Sequence, residues 1–367
     1  MESMVMTRLP DASFWRDKRV FLTGHTGFKG AWLTLWLKRL GAEVHGYALK
    51  PPSVPSLFEV AHVTVDLTTD VRADLRDAGS VADAIAKVRP HIIFHLAAQS
   101  LVRPSYVDPL GTFAINVMGT AHVLEAARHC TSVHAVVVVT TDKCYENREW
   151  VHPYRENDPL GGHDPYSASK ACCELVAACW RTSFSGAADA SALRVATARA
   201  GNVIGVGDWA AERLLPDCFR AFAHSEPVRL RYPHAIRPWQ HVLEPLLGYL
   251  QLAESLFGEG GEDYAQGWNF GPNPDSDASV GHVACEAARL WGETARVEFD
   301  AAPLAMHEAG MLRLDSTLAR VQLDWRPRWS LDRALSETVR GYRTYAEGGD
   351  LRALVLDQVE AYSSDSD

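Results

Sequence analysis

A short apolar run at residues 19–24 (RVFLTG) leads straight into Gly24-His25-Thr26-Gly27-Phe28-Lys29-Gly30, and a helical stretch follows over 29–40. This junction constrains the fold more than any other feature of the chain. Glycines there let the backbone turn tightly and approach a pyrophosphate, whose charge meets the free N–H groups of the helix N-terminus. The G-x-x-G-x-x-G spacing, between a strand and a helix near the start of the chain, predicts the phosphate loop of a dinucleotide-binding sheet. Lys29 is unfavourable beside a helix N-terminus unless an anion sits there. It either meets that phosphate or points to solvent.

The rest of the first half fits the same sheet. Runs at 43–49, 70–75, 92–98 (IIFHLAA), 135–141 (AVVVVTT) and 197–204 read as strands. Helices are expected over 80–88 and 108–129 and from Pro165 onward. Continuous apolar strands are buried on both faces. Their alternation with helices gives an α/β fold, a doubly wound parallel sheet of Rossmann type. After Gly205 the elements shorten and Arg residues cluster. The expected division is a dinucleotide-binding domain over 14–198, with 241–270 returning to it. A smaller substrate-binding lobe would come from 199–240 and 271–350, with tails at 1–13 and 351–367.

Charge and cysteine usage narrow the partners. The 36 basic and 46 acidic residues give a formal charge of −10, which argues against nucleic acid as a partner. An anionic substrate still fits, because a local arginine cluster outweighs net charge at short range. The 7 cysteines form no C-x-x-C pair and read as reduced thiols of a cytoplasmic protein. No apolar run approaches the ~18 residues of a membrane span, and no signal-peptide core is evident at the start. A metal site is not expected: His91 and His95 share a strand face, but nothing completes a ligand set.

The chemistry concentrates where strands end. Tyr166 and Lys170, in Tyr166-Ser167-Ala168-Ser169-Lys170, stand at i and i+4 and share one face of a helix. A nearby ammonium stabilises phenolate, so Tyr166 is expected to be a base with a lowered pKa. The pair lies one element after the strand ending Thr140-Thr141-Asp142-Lys143, at the sheet edge where active sites fall. Thr141 can bond a hydroxyl there. Asp142 can donate a proton if its pKa is raised, and Lys143 can accept one only if its pKa is depressed. A turn acid and a solvated lysine are the plainer alternative. The second strand ends in Tyr47-Ala48-Leu49-Lys50, without the acid that many NAD sites use. Asp74 is a candidate for the adenine amino group or a simple turn carboxylate.

At this point the residues resemble a known family. GHTGFKG (24–30), LAAQ (96–99), NVMGT (116–120), TTDKCYENREW (140–150), PYSASK (165–170), RAGNVIGVGDWA (199–210), IRPWQHVLEP (236–245), WNFGP (268–272) and LDWRPRW (323–329) occur in order over about 14–345. They look like the sugar-nucleotide 4,6-dehydratases of the extended short-chain dehydrogenase/reductase family. The resemblance implies NAD as cofactor and a nucleotide sugar, CDP-glucose, as substrate. It places Gly24, His25, Gly27, Phe28, Lys29, Gly30, Asp74, Leu75, Leu96, Ala97, Ala98 and Gln99 at the cofactor, with Tyr166 and Lys170. It gives Thr141, Asp142, Lys143, Tyr166 and Lys170 to catalysis, and Asn116, Thr141, Asn202, Arg213 and Arg237 to the substrate. It further implies a homodimer, through a four-helix bundle from 108–129 and 166–184, or a dimer of dimers. Two readings compete: a 4-epimerase or decarboxylase of another sugar nucleotide, and a non-catalytic dinucleotide sensor.

Overall fold

β1 (Arg19–Thr23) runs into Gly24, which turns the chain at a φ of 76°, and a helix follows over Phe28–Arg39. Only glycine takes that left-handed φ without strain. The computed structural model describes residues 7–184, 193–230, 232–273, 276–299 and 310–364. Six further strands share the sheet of β1. They are β2 (Glu43–Ala48), β3 (Leu67–Arg72), β4 (Ile92–His95), β5 (Ala135–Val139), β6 (Arg194–Ala200) and the edge strand Gly267–Phe270. The order is Gly267–Phe270, β6, β5, β4, β1, β2, β3, with every pairing parallel. The direction of winding reverses between β1 and β4, and a ligand crevice opens at the strand carboxyl ends there.

Both faces of this sheet are apolar, because side chains alternate along a strand. Val20, Leu22, Ile92, Phe94, Ala135 and Val137 join one core with Trp15, Trp32 and Trp36. Phe21, Ile93, Val136 and Val138 join the other with Val81, Ile85, Val123 and Leu124. Each large side chain so buried contributes about 1.5–3 kcal/mol.

Two elements differ from their sequence reading, each for a local reason. The single strand expected over 197–204 is two. β6 ends at Ala200, and Asn202–Ile204 joins a second sheet, with Ile236–His241 at its centre and Asp277–Ser279 beyond. The chain crosses between sheets at Gly201, where a Cβ would stand 2.5 Å from Cγ of Pro238. The helix expected over 108–129 is Pro109–Phe113 and Gly119–Arg128, joined by a π-helical turn at Ala114–Met118. The carbonyl of Asn116 there accepts from the Thr120 hydroxyl at 2.6 Å and from the Cys173 thiol at 3.1 Å. Side chains that capture a carbonyl compete with the regular helical ladder.

The expected tails are also corrected. Residues 351–364 form a helix whose Leu351, Val355, Val359 and Tyr362 are buried. Arg352 pairs with Asp66 at 2.7 Å, and the Tyr362 hydroxyl donates to Glu244 at 2.5 Å. At the other end, the Asp11 N–H and the Trp15 indole both donate to Glu254, at 2.8 and 2.7 Å. Residues 365–367 and 1–6 lie outside the described residues.

Candidate active site

β5 ends in the turn Asp142–Cys144, where the Thr141 hydroxyl accepts from the Lys143 N–H at 3.3 Å. The helix Pro165–Phe184 starts beside it, because Asp164 accepts from the Ser167 N–H at 2.9 Å and from its hydroxyl at 2.6 Å. Proline suits the first helical position, where no N–H is needed. These two starts bring the reacting groups together. The Thr141 hydroxyl acts on the Tyr166 phenol, holding it lower than burial alone would, and donates to Asp142 at 3.0 Å. All three residues are buried. Burial raises the Asp142 carboxyl, against the charges of Lys143 and Arg237 and the Thr141 bond. It is therefore suited to holding a proton.

The expected cation–phenol relation is different in the structure. Lys170 is buried, and its ammonium donates to the Val139 carbonyl at 2.9 Å. Burial pushes the Tyr166 phenol up to about 12, opposed by the Thr141 bond and the charge of Arg213. The lowered pKa read from the i, i+4 pair is thus not a property of the protein alone. Burial of the phenol raises its pKa instead, and the ammonium is turned to the backbone.

Lys29 points into the site. Burial, with Arg213 and Lys170 against Asp142, brings its ammonium down to about 8. The nearby Arg213 pairs with Asp208 at 2.6 Å and reaches the Ser100 hydroxyl at 3.4 Å. Arg237 acts on Asp142 from the second sheet. Gly201, next to Asn202, brings the backbone so close that a Cβ would stand 3.2 Å from the Asp142 carboxylate.

The phosphate loop is shaped for an anion. The helix Phe28–Arg39 follows Gly27 with no side chain capping it, which leaves its first N–H groups open. A Cβ on Gly30 would stand 2.1 Å from the Gly24 carbonyl, and one on Gly24 would stand 2.7 Å from the Ala97 nitrogen. The N–H groups of Leu96 and Ala97 both donate to the Thr23 hydroxyl at 3.1 Å. Uncapped amides, tight glycines and an inward lysine fit a dinucleotide pyrophosphate.

Several predicted residues have other work. His25 is buried, with Nε2 2.9 Å from Asp70, and anchors the loop to β3. Burial lowers its pKa in spite of that carboxylate. Phe28 packs into the core, and the Leu75 carbonyl takes the His122 ring. Gln99 folds onto its own loop, with Leu101 and Thr112 as partners. Ala98 follows Ala97 in the same loop and is half-buried. Asp74 holds Arg76 through both carboxylate oxygens in a local turn. Asn116 is buried and bonded within the protein. Its amide is used up by both main-chain groups of Gln99 and by the Ser169 hydroxyl, at 2.8–3.0 Å. It is a brace beneath the site. Sequence reasoning missed Asp70, Asp208, Glu174 and Arg199. Only a charged residue interrupting an apolar strand or helix face signals such groups.

With this geometry, the family is defined by comparison as well. The family model described as GDP-mannose 4,6 dehydratase matches residues 21–244, more than half of the chain, and the chain belongs to that family. Over 356 residues it is 47% identical to a CDP-glucose 4,6-dehydratase of Salmonella typhimurium, covering 96% of this chain and 98% of that one. Among solved structures, the epimerase Mth375 of Methanothermobacter thermautotrophicus superposes with a TM-score of 0.78 at 21% identity, over 95% of this chain and 96% of that one. DesIV of Streptomyces venezuelae, a dTDP-glucose 4,6-dehydratase solved with NAD bound, gives 0.73 at 24% identity, over 90% and 99%. These two likenesses establish the fold.

Proposed function

We propose that this chain is a 4,6-dehydratase that converts CDP-glucose to CDP-4-keto-6-deoxyglucose, with NAD recycled in each turnover. The observation that carries the reading is the buried cluster of Tyr166, Thr141 and Asp142 at the end of β5, with the Thr141 hydroxyl donating to Asp142 and acting on the phenol, and Lys143 next in sequence. An epimerase or decarboxylase needs the phenol but has no evident use for the acid and amine beside it.

When bound, NAD would supply a positive ring that favours phenolate, and would carry hydride from C4 of the sugar to C6. Tyr166, with Thr141, takes the proton of the 4-hydroxyl. The resulting ketone acidifies C5–H, and Lys143 removes that proton and returns it to C5 once C6 has accepted hydride. Asp142, raised by burial, gives its proton to the departing 6-hydroxyl, and water leaves. Gly24, Gly27, Gly30 and Lys29 hold the dinucleotide pyrophosphate. Arg213, Arg237 and Asn202 hold the substrate diphosphate, for which the guanidinium fork is suited. The choice of cytosine rests on the 47% identical relative.

The proposed assembly is a homodimer. Val107 and Leu110 are 87% and 82% exposed, and Tyr106, Met118 and Leu175 are exposed near them in sequence or on the adjoining helix. Apolar groups on helix faces in water favour a partner. Sedimentation tests this: a dimer is expected, and a monomer would refute it. The reaction itself is tested by incubation with CDP-, dTDP-, UDP- and GDP-glucose. A keto-deoxy product from CDP-glucose foremost is expected. An epimer, or no product from any of the four, would overturn the reading.

A further inference from the structure

A carboxylate and a guanidinium lie buried behind the site, outside its proton path and its substrate contacts. Glu174 is 1% exposed and Arg199 is 3% exposed. Their side chains meet at 2.8 Å. Glu174 also accepts from the hydroxyls of Thr140 and Thr197, the latter at 2.6 Å. Arg199 donates to the Tyr145 hydroxyl at 2.7 Å and to the Glu156 carbonyl at 2.9 Å. The Tyr145 hydroxyl donates to the Asn269 side-chain oxygen at 2.7 Å. Asn269 in turn donates to the carbonyls of Tyr154 and Asp315, at 2.9 and 3.0 Å.

The pair stays charged. Burial favours a neutral Glu174, but Arg199 and the two hydroxyls hold its carboxyl below the ordinary value. Burial likewise disfavours the Arg199 cation, and Glu174 more than offsets this. Such a pair is a weak source of net stability, since apolar groups of similar volume often serve as well. Its value lies in direction.

The connectivity shows what is directed. Glu174 stands one helical turn beyond Lys170 and two beyond Tyr166, on the same face of the same helix. Thr140 and Tyr145 bracket Thr141, Asp142 and Lys143. The segment that carries three reacting groups is therefore tied at both ends to one ion pair, and that pair is fixed to the helix that carries the fourth. We propose that Glu174 and Arg199 are positioning residues that set the 140–145 turn against Tyr166, so that Asp142 and Lys143 reach the sugar while the phenol holds its 4-hydroxyl. This rests on the reaction proposed above.

Small changes test it without dismantling the pair. Tyr145→Phe removes one hydroxyl, Thr140→Val removes one donor, and Thr140→Ser keeps that donor. Each full-length variant is loaded with NAD and assayed with CDP-glucose for kcat, KM and the fraction of bound dinucleotide that is reduced at steady state. Tyr145→Phe and Thr140→Val are expected to lower kcat by about 10- to 100-fold, the penalty of a misplaced group. KM should stay within about twofold of the parent, as expected when ground-state binding is untouched. The reduced fraction should rise, because oxidation at C4 proceeds while elimination stalls. Thr140→Ser should restore the parent values. Unchanged kcat in both variants, or a fall in kcat without that rise, overturns the positioning role. Absence of turnover in the parent chain would instead remove the reaction, and the proposal with it.

Discussion

The ammonium of Lys170 donates to the main-chain carbonyl of Val139 at 2.9 Å, two residues before Thr141. The bond joins the helix of Tyr166 to the end of β5 and spends the lysine on the backbone. Lys170→Met should therefore cost both function and stability. Loss of a positioned catalytic group of this kind lowers kcat by about 10²–10⁴-fold. An orphaned buried carbonyl costs about 1–3 kcal/mol. Steady-state assays and urea melts of the same preparation check the two effects together.

Asp142 should show a conflict between stability and activity. Burial raises its carboxyl above the value of an unfolded aspartate. The native state then binds that proton more tightly than the unfolded state does. Its stability is penalised above the folded pKa and relieved as the pH falls below it. Asp142→Asn removes the penalised charge, and is expected to stabilise the fold at neutral pH by about 0.5–2 kcal/mol. The same variant should oxidise C4 but fail to expel the 6-hydroxyl. Thermal melts and product analysis check both.

Two buried histidines predict acid sensitivity. Burial lowers His95 and His241 to about 3 each. Both rings contribute stability that is complete above about 6.5, the unfolded value, and is lost as the pH falls toward 3. Each adds a slope of about 1.4 kcal/mol per pH unit in that window. Glu244, raised to about 7 by burial, works the other way between its unfolded value and 7. Asp142 offsets part of the loss in the same direction as Glu244, and below about 4.5, where Glu244 no longer contributes, the two rings leave a net loss on acidification. Melting temperatures should fall as the pH drops below about 4.5, and a flat profile there would contradict this.

The last helix should be structural. Tyr362 is fully buried and donates to Glu244, which also accepts from the N–H groups of Arg328 and Trp329, at 3.0 and 2.8 Å. Tyr362→Phe is expected to cost about 1–2 kcal/mol, the price of one charge-assisted bond. Denaturant midpoints of the two proteins check it.

These residues also show what the sequence could reveal. The glycine loop and the apolar strands were legible because backbone demands and burial on two faces leave few residue choices. Tyr166, Thr141 and Asp142 were legible because strand ends and helical spacing fix where side chains meet. The lysine bond to Val139 was not, since a flexible ammonium can turn to any nearby acceptor. The bonds of Asp74 to Arg76 and of Asn116 to Gln99 were not legible, because local turns rather than residue type choose those partners. The 351–364 helix was missed because its polar ending masked six buried positions. The break at Gly201 was missed because the two strands are nearly continuous in sequence and only the second sheet separates them.

One bound dinucleotide is expected to carry hydride from C4 to C6 of the same sugar under the control of Tyr166, Asp142 and Lys143. The direct measurement uses CDP-glucose carrying deuterium at C4, with the product read by NMR and mass spectrometry. The account predicts a 4-keto-6-deoxy product with the deuterium in its C6 methyl group. Deuterium retained at C4 of an epimerised sugar, or a methyl group free of the label, would contradict it.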